Sequence, residues 1–523
     1  MIFQCKNRRC GYVAEQETLP LCCPECGGAV RELREDRMNG RQWTRLGIFF
    51  LEKSSGQAKR AWECFRRAAL LGDAWGVSNL GWCMEAGVGV EASPEEAVWL
   101  YRQAVEMGFT PALCNLGVCL QRGLGCRPDP EAAAACYQQA AERGYARGQR
   151  LLAGCYKNGT GVEQDDAKAL EWLQAAAWQN DPGGQVQLGL WYENGVVVPK
   201  KPETAVVWYR KAAEQGDPDG MCCLGWCLEC GIGCRPDQEQ AVEWYRKAAA
   251  LEHPRAMTNL ALCLENGDGM PKDEKEALRL YRAAAEKGYA KAMVCLGVCL
   301  YYGNSACRAE PAQAFALFHK AADAGEPEAC YRVGMCFWEG RGVKTNEAAA
   351  VRWFSLALER GVKKAALLLG IASELGAGVR KSFKKAAGYF TIAARAGVPA
   401  AMYRLGRCCE EGRGTKASVS QAVRWYKKAA RLGYPRAQFQ LGCCYSRGEG
   451  VEQDPKKAED WYRKAAEQGD AAGAYQMALS LEKEKPAEAA RFCRIALESV
   501  PENTEAGKSI AALLHKLEAA KQA

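Results

Sequence analysis

The residues best equipped for chemistry stand at the start of the chain: Cys5 and Cys10, separated by four residues, then Cys23 and Cys26, separated by two. Glycine follows each pair, at Gly11 and Gly27, and permits the tight turn that aims both sulfurs at one point. Two such pairs can place four thiolates tetrahedrally around zinc, and a full set of four leaves the metal no open position for catalysis. Cys22 competes with Cys23 for a ligand place, and iron accepts the same donors. A segment this short buries too little apolar surface to fold unaided, so metal binding would supply its folding free energy.

Other catalytic constellations are scarce. The three histidines, His253, His319 and His515, fall in different parts of the chain, and none pairs with a recurrent serine, cysteine or carboxylate. The many Gly-x-Gly elements lack the spacing of a phosphate loop. The expectation is a protein that binds and does not catalyse.

What positions the remaining residues is a periodicity. Leu-Gly-x-Cys followed by Gly-x-Gly returns about every 36 residues, anchored at Leu46, Leu80, Leu116, Leu152, Leu188, Leu224, Leu260, Leu296, Val333, Leu369, Leu405, Leu441 and Met477. That makes thirteen units, and the spacing slips at the first of them and at Val333. A repeat array buries its core between neighbours and grows by addition, so residues 34–498 are expected to form one long repeat domain. Residues 1–33 precede it as the metal-binding segment. An amphipathic stretch from Pro501 to Ala520, within 499–523, reads as the capping helix that a terminal unit requires.

Each unit holds two helices and two turns. In the first helix a small residue four before the anchor, such as Ala112, Gly220 or Ala437, and a glycine or alanine after it share one face and let backbones approach closely. The Gly-x-Gly pair ends that helix, and Asp129, Asp165, Asp237, Asp273 and Asp454 stand where the next should be capped. The second helix carries aromatic pairs, Trp208-Tyr209, Trp244-Tyr245, Trp353-Phe354, Trp425-Tyr426 and Trp461-Tyr462, expected to fill the core between repeats.

Nine of the 28 cysteines, Cys83, Cys119, Cys155, Cys227, Cys263, Cys299, Cys336, Cys408 and Cys444, recur three residues after the anchor. A small hydrophobe on one helical face is packing. The opening Met1-Ile2-Phe3-Gln4-Cys5-Lys6 has no apolar core of a signal peptide, and no apolar run approaches a membrane span. A soluble cytoplasmic protein with reduced thiols is expected.

The unit Leu-Gly-x-x-Tyr-x-x-Gly-x-Gly-Val-x-x-Asp, then Trp-Tyr-x-Lys-Ala-Ala-x-x-Gly, resembles the Sel-1-like repeat, a relative of the tetratricopeptide repeat. Gln187-Leu188-Gly189 to Gly195, Gly448-Glu449-Gly450-Val451 with Asp454, and Trp461-Tyr462-Arg463-Lys464-Ala465-Ala466 carry the resemblance, which spans roughly 41–498. It implies an all-α fold, a right-handed α-solenoid that serves as adaptor or scaffold. Residues 1–30 in turn resemble a zinc ribbon, a module that often contacts nucleic acid or protein. Secreted cysteine-rich relatives carry one disulfide per repeat and are associated with β-lactam binding. Where they have Lys-Ala-Cys this chain has Lys211-Ala212-Ala213 and Lys464-Ala465-Ala466, so it departs from that disulfide ladder, and a β-lactam-binding or hydrolysing enzyme is left as an alternative resting on the family analogy alone.

The surface that varies over this constant frame is the candidate for readout. One residue before and two after the anchor lie Asn79, Trp82, Asn115, Gln187, Trp226, Asn259, Arg332, Arg404, Arg407 and Gln440. By analogy with related solenoids these face the concave side and would hold a protein or peptide partner. Between Arg341 and Gln440 twenty Lys or Arg stand against five Asp or Glu, a net of +15 within an overall +8. Such a block attracts an acidic segment of a partner, or alternatively nucleic acid, with a strength that falls as salt rises.

Overall fold

The computed structural model describes residues 2–5, 12–15, 30–53, 55–501 and 503–522; Cys10, Cys22, Cys23 and Cys26 lie outside them. Contacts group the chain into two compact units, Met1–Lys272 and Asp273–Ala523. Twenty-seven α-helices occur among the described residues, and the first twenty-six alternate as first and second helices, two for each anchor. The first unit holds six such hairpins and the helix Pro254–Asn266; the second holds the helix Glu274–Glu286, six hairpins and a final helix, Glu505–Gln522.

The repeat anchored at Leu116 shows why the two glycines are there. Helix Thr110–Arg122 ends at Gly123, whose φ of 70° is left-handed, and Asp129 caps Pro130–Glu142 by accepting from the Ala132 N–H at 2.9 Å. Gly125 also takes positive φ, but its second duty is steric: a Cβ there would strike the Pro94 carbonyl at the start of the preceding second helix. One glycine ends a helix, and the other lets the turn lie against the previous repeat. Asp165, Asp237, Asp273 and Asp454 cap their helices in the same way.

The aromatic pair divides its labour, which corrects the expectation that both rings fill the core. Tyr209, Tyr245, Phe354 and Tyr426 are fully buried, and Trp208 is buried as expected, whereas Trp244, Trp353, Trp425 and Trp461 are only half-buried. Lys211, Lys247, Lys428 and Lys464, one turn on from their tryptophans, hold their ammonium groups 4.2–4.6 Å from the indole centroids. The buried ring lies on the glycine that follows the anchor: a Cβ on Gly81 would sit 2.9 Å from Tyr101 Cε1, and one on Gly225 2.6 Å from Tyr245 Cε1. Where that position is Ala153 the residue twenty further on is Leu173, a smaller side chain, whereas Ala261 keeps a fully buried Tyr281 at the same interval.

All nine cysteines at the recurrent position are buried. Desolvation pushes the thiols of Cys83, Cys119, Cys227, Cys263, Cys336 and Cys444 up to about 12, which keeps them neutral in the core. A second set of cysteines serves the turns instead. Cys126, Cys234 and Cys307 donate from the turn to the carbonyls of Cys119, Cys227 and Cys299, and Thr415 does the same to Cys408 at 3.1 Å.

The slip before Val333 arises in the turn between Tyr302 and Pro311. Gly303 there has φ 75° and ψ 158°, and Asn304 Oδ1 accepts from the Ala306 and Cys307 N–H groups, both at 3.0 Å.

The N-terminal segment builds a three-stranded antiparallel sheet, β1 (Ile2–Cys5), β2 (Val13–Glu15) and β3 (Val30–Leu33), in the order β2-β1-β3. Ile2, Val13 and Ala14 join Met38, Trp43, Leu46, Phe49 and Phe50 in one buried cluster, so the sheet covers the first repeat. At the far end the final helix starts at Glu505, four residues later than expected, because Thr504 accepts from the Gly507 N–H at 3.0 Å and sets its boundary. Ile510, Leu513 and Leu517 bury its apolar stripe against Phe492, Cys493 and Ala496.

Candidate partner-binding wall

In the first unit consecutive first helices touch one another: Gly40–Lys53 with Ala74–Ala86, Thr110–Arg122 with Ala146–Asn158, and Pro182–Asn194 with both Ala146–Asn158 and Pro218–Cys230. This row forms one wall. A cleft of about 620 Å³ crosses its first four helices and brings Asn79, Trp82 and Asn115 together with Ile48, Leu51, Glu52, Glu85, Val118 and Arg147. Trp82 offers 40% of its surface to solvent, unusual for an indole beside half-buried Ile48, Leu51 and Val118.

The polar groups of the cleft are held by local bonds. Asn79 donates to the Trp75 carbonyl at 2.9 Å, and Arg147 donates to Asn115 Oδ1 at 3.0 Å. Glu85 accepts the Tyr101 hydroxyl at 2.7 Å. Burial first, then this carboxylate, push the Tyr101 phenol above its ordinary value, so the proton stays on Tyr101. Side chains tied in this way lose little further freedom when a ligand arrives. The arrangement can meet a peptide with an apolar face at Trp82, two carboxylates at one end and a guanidinium at the other.

Glu85, Glu52 and Arg147 were missed from the sequence. For Glu85 the signal was present: a carboxylate or amide five residues after the anchor recurs as Glu85, Gln121, Glu193, Glu229 and Glu410, each paired with a tyrosine sixteen residues on, whereas Glu52 and Arg147 belong to no such series.

The other sequence candidates sit at equivalent places and are not all free for a partner. Gln187 and Trp226 are half-buried on the wall of the first unit, and Asn259 is buried with its amide directed at Cys222 Sγ, 3.7 Å away. In the second unit Arg332 pairs with Glu328 at 3.1 Å, Arg404 with Glu374 at 2.9 Å and Arg407 with Glu411 at 2.5 Å, while Gln440 donates to Glu410 at 3.2 Å. Arg404 and Gln440 thus tie one repeat to the repeat before it.

Two histidines acquire carboxylate partners that the sequence did not suggest. His253 Nδ1 accepts from the Ala256 N–H, which caps Pro254–Asn266, and its Nε2 meets Asp219 at 3.1 Å. His319 Nδ1 lies 3.0 Å from Asp323 on an exposed helix face, with Phe315 and Trp353 around its ring. Both are structural pairings. Among the described residues no cluster of three His, Cys, Asp or Glu could hold a metal, and no helix is long and apolar enough to cross a membrane.

No curated protein matches the chain. Among solved structures it is similar to c5321, a protective antigen of uropathogenic Escherichia coli that displays an SLR fold, with 30% identity over 87% of this chain and 94% of that one and a TM-score of 0.53. A Sel1 repeat protein from Oxalobacter formigenes is 27% identical over 65% of this chain and 96% of its own, with a TM-score of 0.41. The Sel1 repeat model matches twelve consecutive stretches, beginning with 45–73 and ending with 435–470, one for each helical unit except the last. With that model covering almost every hairpin described above, the chain belongs to the Sel1 repeat family.

Proposed function

We propose that the protein is a cytoplasmic, non-enzymatic adaptor that holds a protein or peptide partner on the wall of first helices, with zinc bound at its N-terminus. The cleft around Trp82 carries this reading. It is open, it spans four repeats, and it joins an exposed indole to amides and charges already fixed in place. A photo-crosslinking residue placed at Trp82 should trap a partner in native cells, while the same residue at Trp99, 60% exposed on a second helix, should not. Equal capture from both positions would remove the wall from the proposal.

For zinc, Cys5 is the described member of the set: it is buried at the end of β1 and its N–H donates to the Tyr12 carbonyl at 2.9 Å. Val30, four residues beyond Cys26, pairs with Cys5 in the register of β1 and β3, so the chain returns from the second cysteine pair to the end of the sheet where Cys5 stands. A donor set of thiolates alone suits zinc in a closed structural site. Metal analysis should find one zinc per chain, lost in Cys26→Ser; metal retained by that variant, or iron in its place, would overturn the assignment.

A further inference from the structure

We propose that a line of exposed cations in the second unit, Arg308, Lys344, Arg380 and Lys416, is a docking edge for an extended acidic segment of a partner polypeptide. This edge lies on the turns between first and second helices and is separate from the wall around Trp82.

Some cations of the basic block are paired within the fold, while others, such as Arg352, Arg395, Arg424 and Arg431, are exposed on the helices. Lys364 shares Glu328 with Arg332, Arg404 pairs with Glu374, and Arg407 and Arg413 share Glu411, so these charges are offset in part within the fold. Arg308, Lys344, Arg380 and Lys416 are exposed, and none ion-pairs with a described carboxylate. They occupy the same place in four consecutive repeats, two residues before the cap of the second helix. Three of those caps are neutral, Asn346, Ser382 and Ser418, where Asp273 and Asp454 serve in the same unit. An aspartate two residues from each cation would offset its charge. Glu310 and Glu347 are the acids nearest the line in sequence, and Lys381, Lys384 and Lys385 add exposed positive charge next to Arg380 in the chain.

Spacing decides which polyanion fits. Each turn lies directly against the start of the preceding second helix, Gly342 on Pro311, Gly378 on Glu347 and Gly414 on Phe383, so neighbouring cations stand about one packing distance apart, roughly 8–10 Å. A polypeptide in the polyproline II conformation has three residues per turn and a rise of about 3.1 Å, which puts every third side chain on one face about 9.3 Å apart. A segment with an acid at every third residue therefore matches the repeat. A nucleic-acid strand carries its charges more closely and needs successive aromatic rings for its bases. Tyr302 is exposed at this edge, but the equivalent residues in the following repeats are Glu339, Leu375 and Glu411.

The test uses the full chain and three probes: a labelled peptide of repeated Glu-Pro-Ala triplets, a scrambled peptide of the same composition, and oligouridylate of equal charge. The triplet peptide should bind most tightly, weaken as salt is raised, and lose at least tenfold in affinity with Lys344→Glu, Arg380→Glu and Lys416→Glu combined. Trp99→Ala, on an exposed second-helix face of the first unit, should leave its affinity unchanged. Circular dichroism checks that the triple variant, altered only on exposed turns, keeps its helices. Unchanged binding by the triple variant, equal binding of the two peptides, or tighter binding of the oligouridylate would overturn the proposal.

Discussion

The hydroxyl of Tyr426 donates to Glu410 at 2.7 Å across the two helices of one repeat. The next repeat joins the same carboxylate, with Gln440 donating to Glu410 at 3.2 Å. A fully buried phenol, a half-buried acid and an amide from the neighbour thus form a tie both within a repeat and between repeats. Tyr426→Phe keeps the ring's packing and should cost about 1 kcal/mol in denaturant unfolding, whereas Glu410→Ala leaves the phenol without its acceptor and should cost about 1–3 kcal/mol. Equal small effects from both would mean that water replaces Glu410.

Gly81→Ala drives a methyl group to 2.9 Å from the Tyr101 ring and should destabilise by about 1–3 kcal/mol. Pairing it with Tyr101→Leu reproduces the native combination of Ala153 with Leu173 and should recover part of that loss relative to the two single changes added together. Strict additivity in the double-mutant cycle would show that the two side chains do not compete for space.

Alkaline stability follows from the neutral thiols. A cysteine whose folded value lies near 12, as at Cys83, Cys227 and Cys444, keeps its proton in the fold at a pH where an unfolded cysteine, near 8.5, has lost it. The unfolded chain therefore binds fewer protons than the folded one between these values, and stability must fall as pH rises. It is fully present below about pH 8.5, and each such thiol removes ~1.4 kcal/mol per pH unit above it. Helical signal followed against denaturant from pH 7 to 11 should show a falling midpoint above pH 9. A flat profile would place these thiols in contact with water.

How much was legible in the sequence depended on whether a feature is enforced by local geometry. Helix boundaries were readable at Gly123 and Asp129, because left-handed φ and a capping carboxylate act within a few residues. The burial of Cys83 and its equivalents was readable from their phase on the helix. The pairing of Tyr426 with Glu410 was written in a constant interval of sixteen residues, yet its meaning required the hairpin to close.

By itself the sequence determined the repeat, its register and the identity of the residues that punctuate it, since a 36-residue period leaves each anchor one equivalent place to occupy. Only the tertiary structure decided which surface charges are neutralised and which remain. Arg404 and Lys416 look alike as letters in one basic stretch, but Arg404 meets Glu374 of the preceding repeat while Lys416 stands exposed on a turn. Contact between residues thirty apart depends on how one hairpin leans on the next, and no local rule carries that information. The same holds for the cleft at Trp82, whose lining comes chiefly from the first helices of four successive repeats.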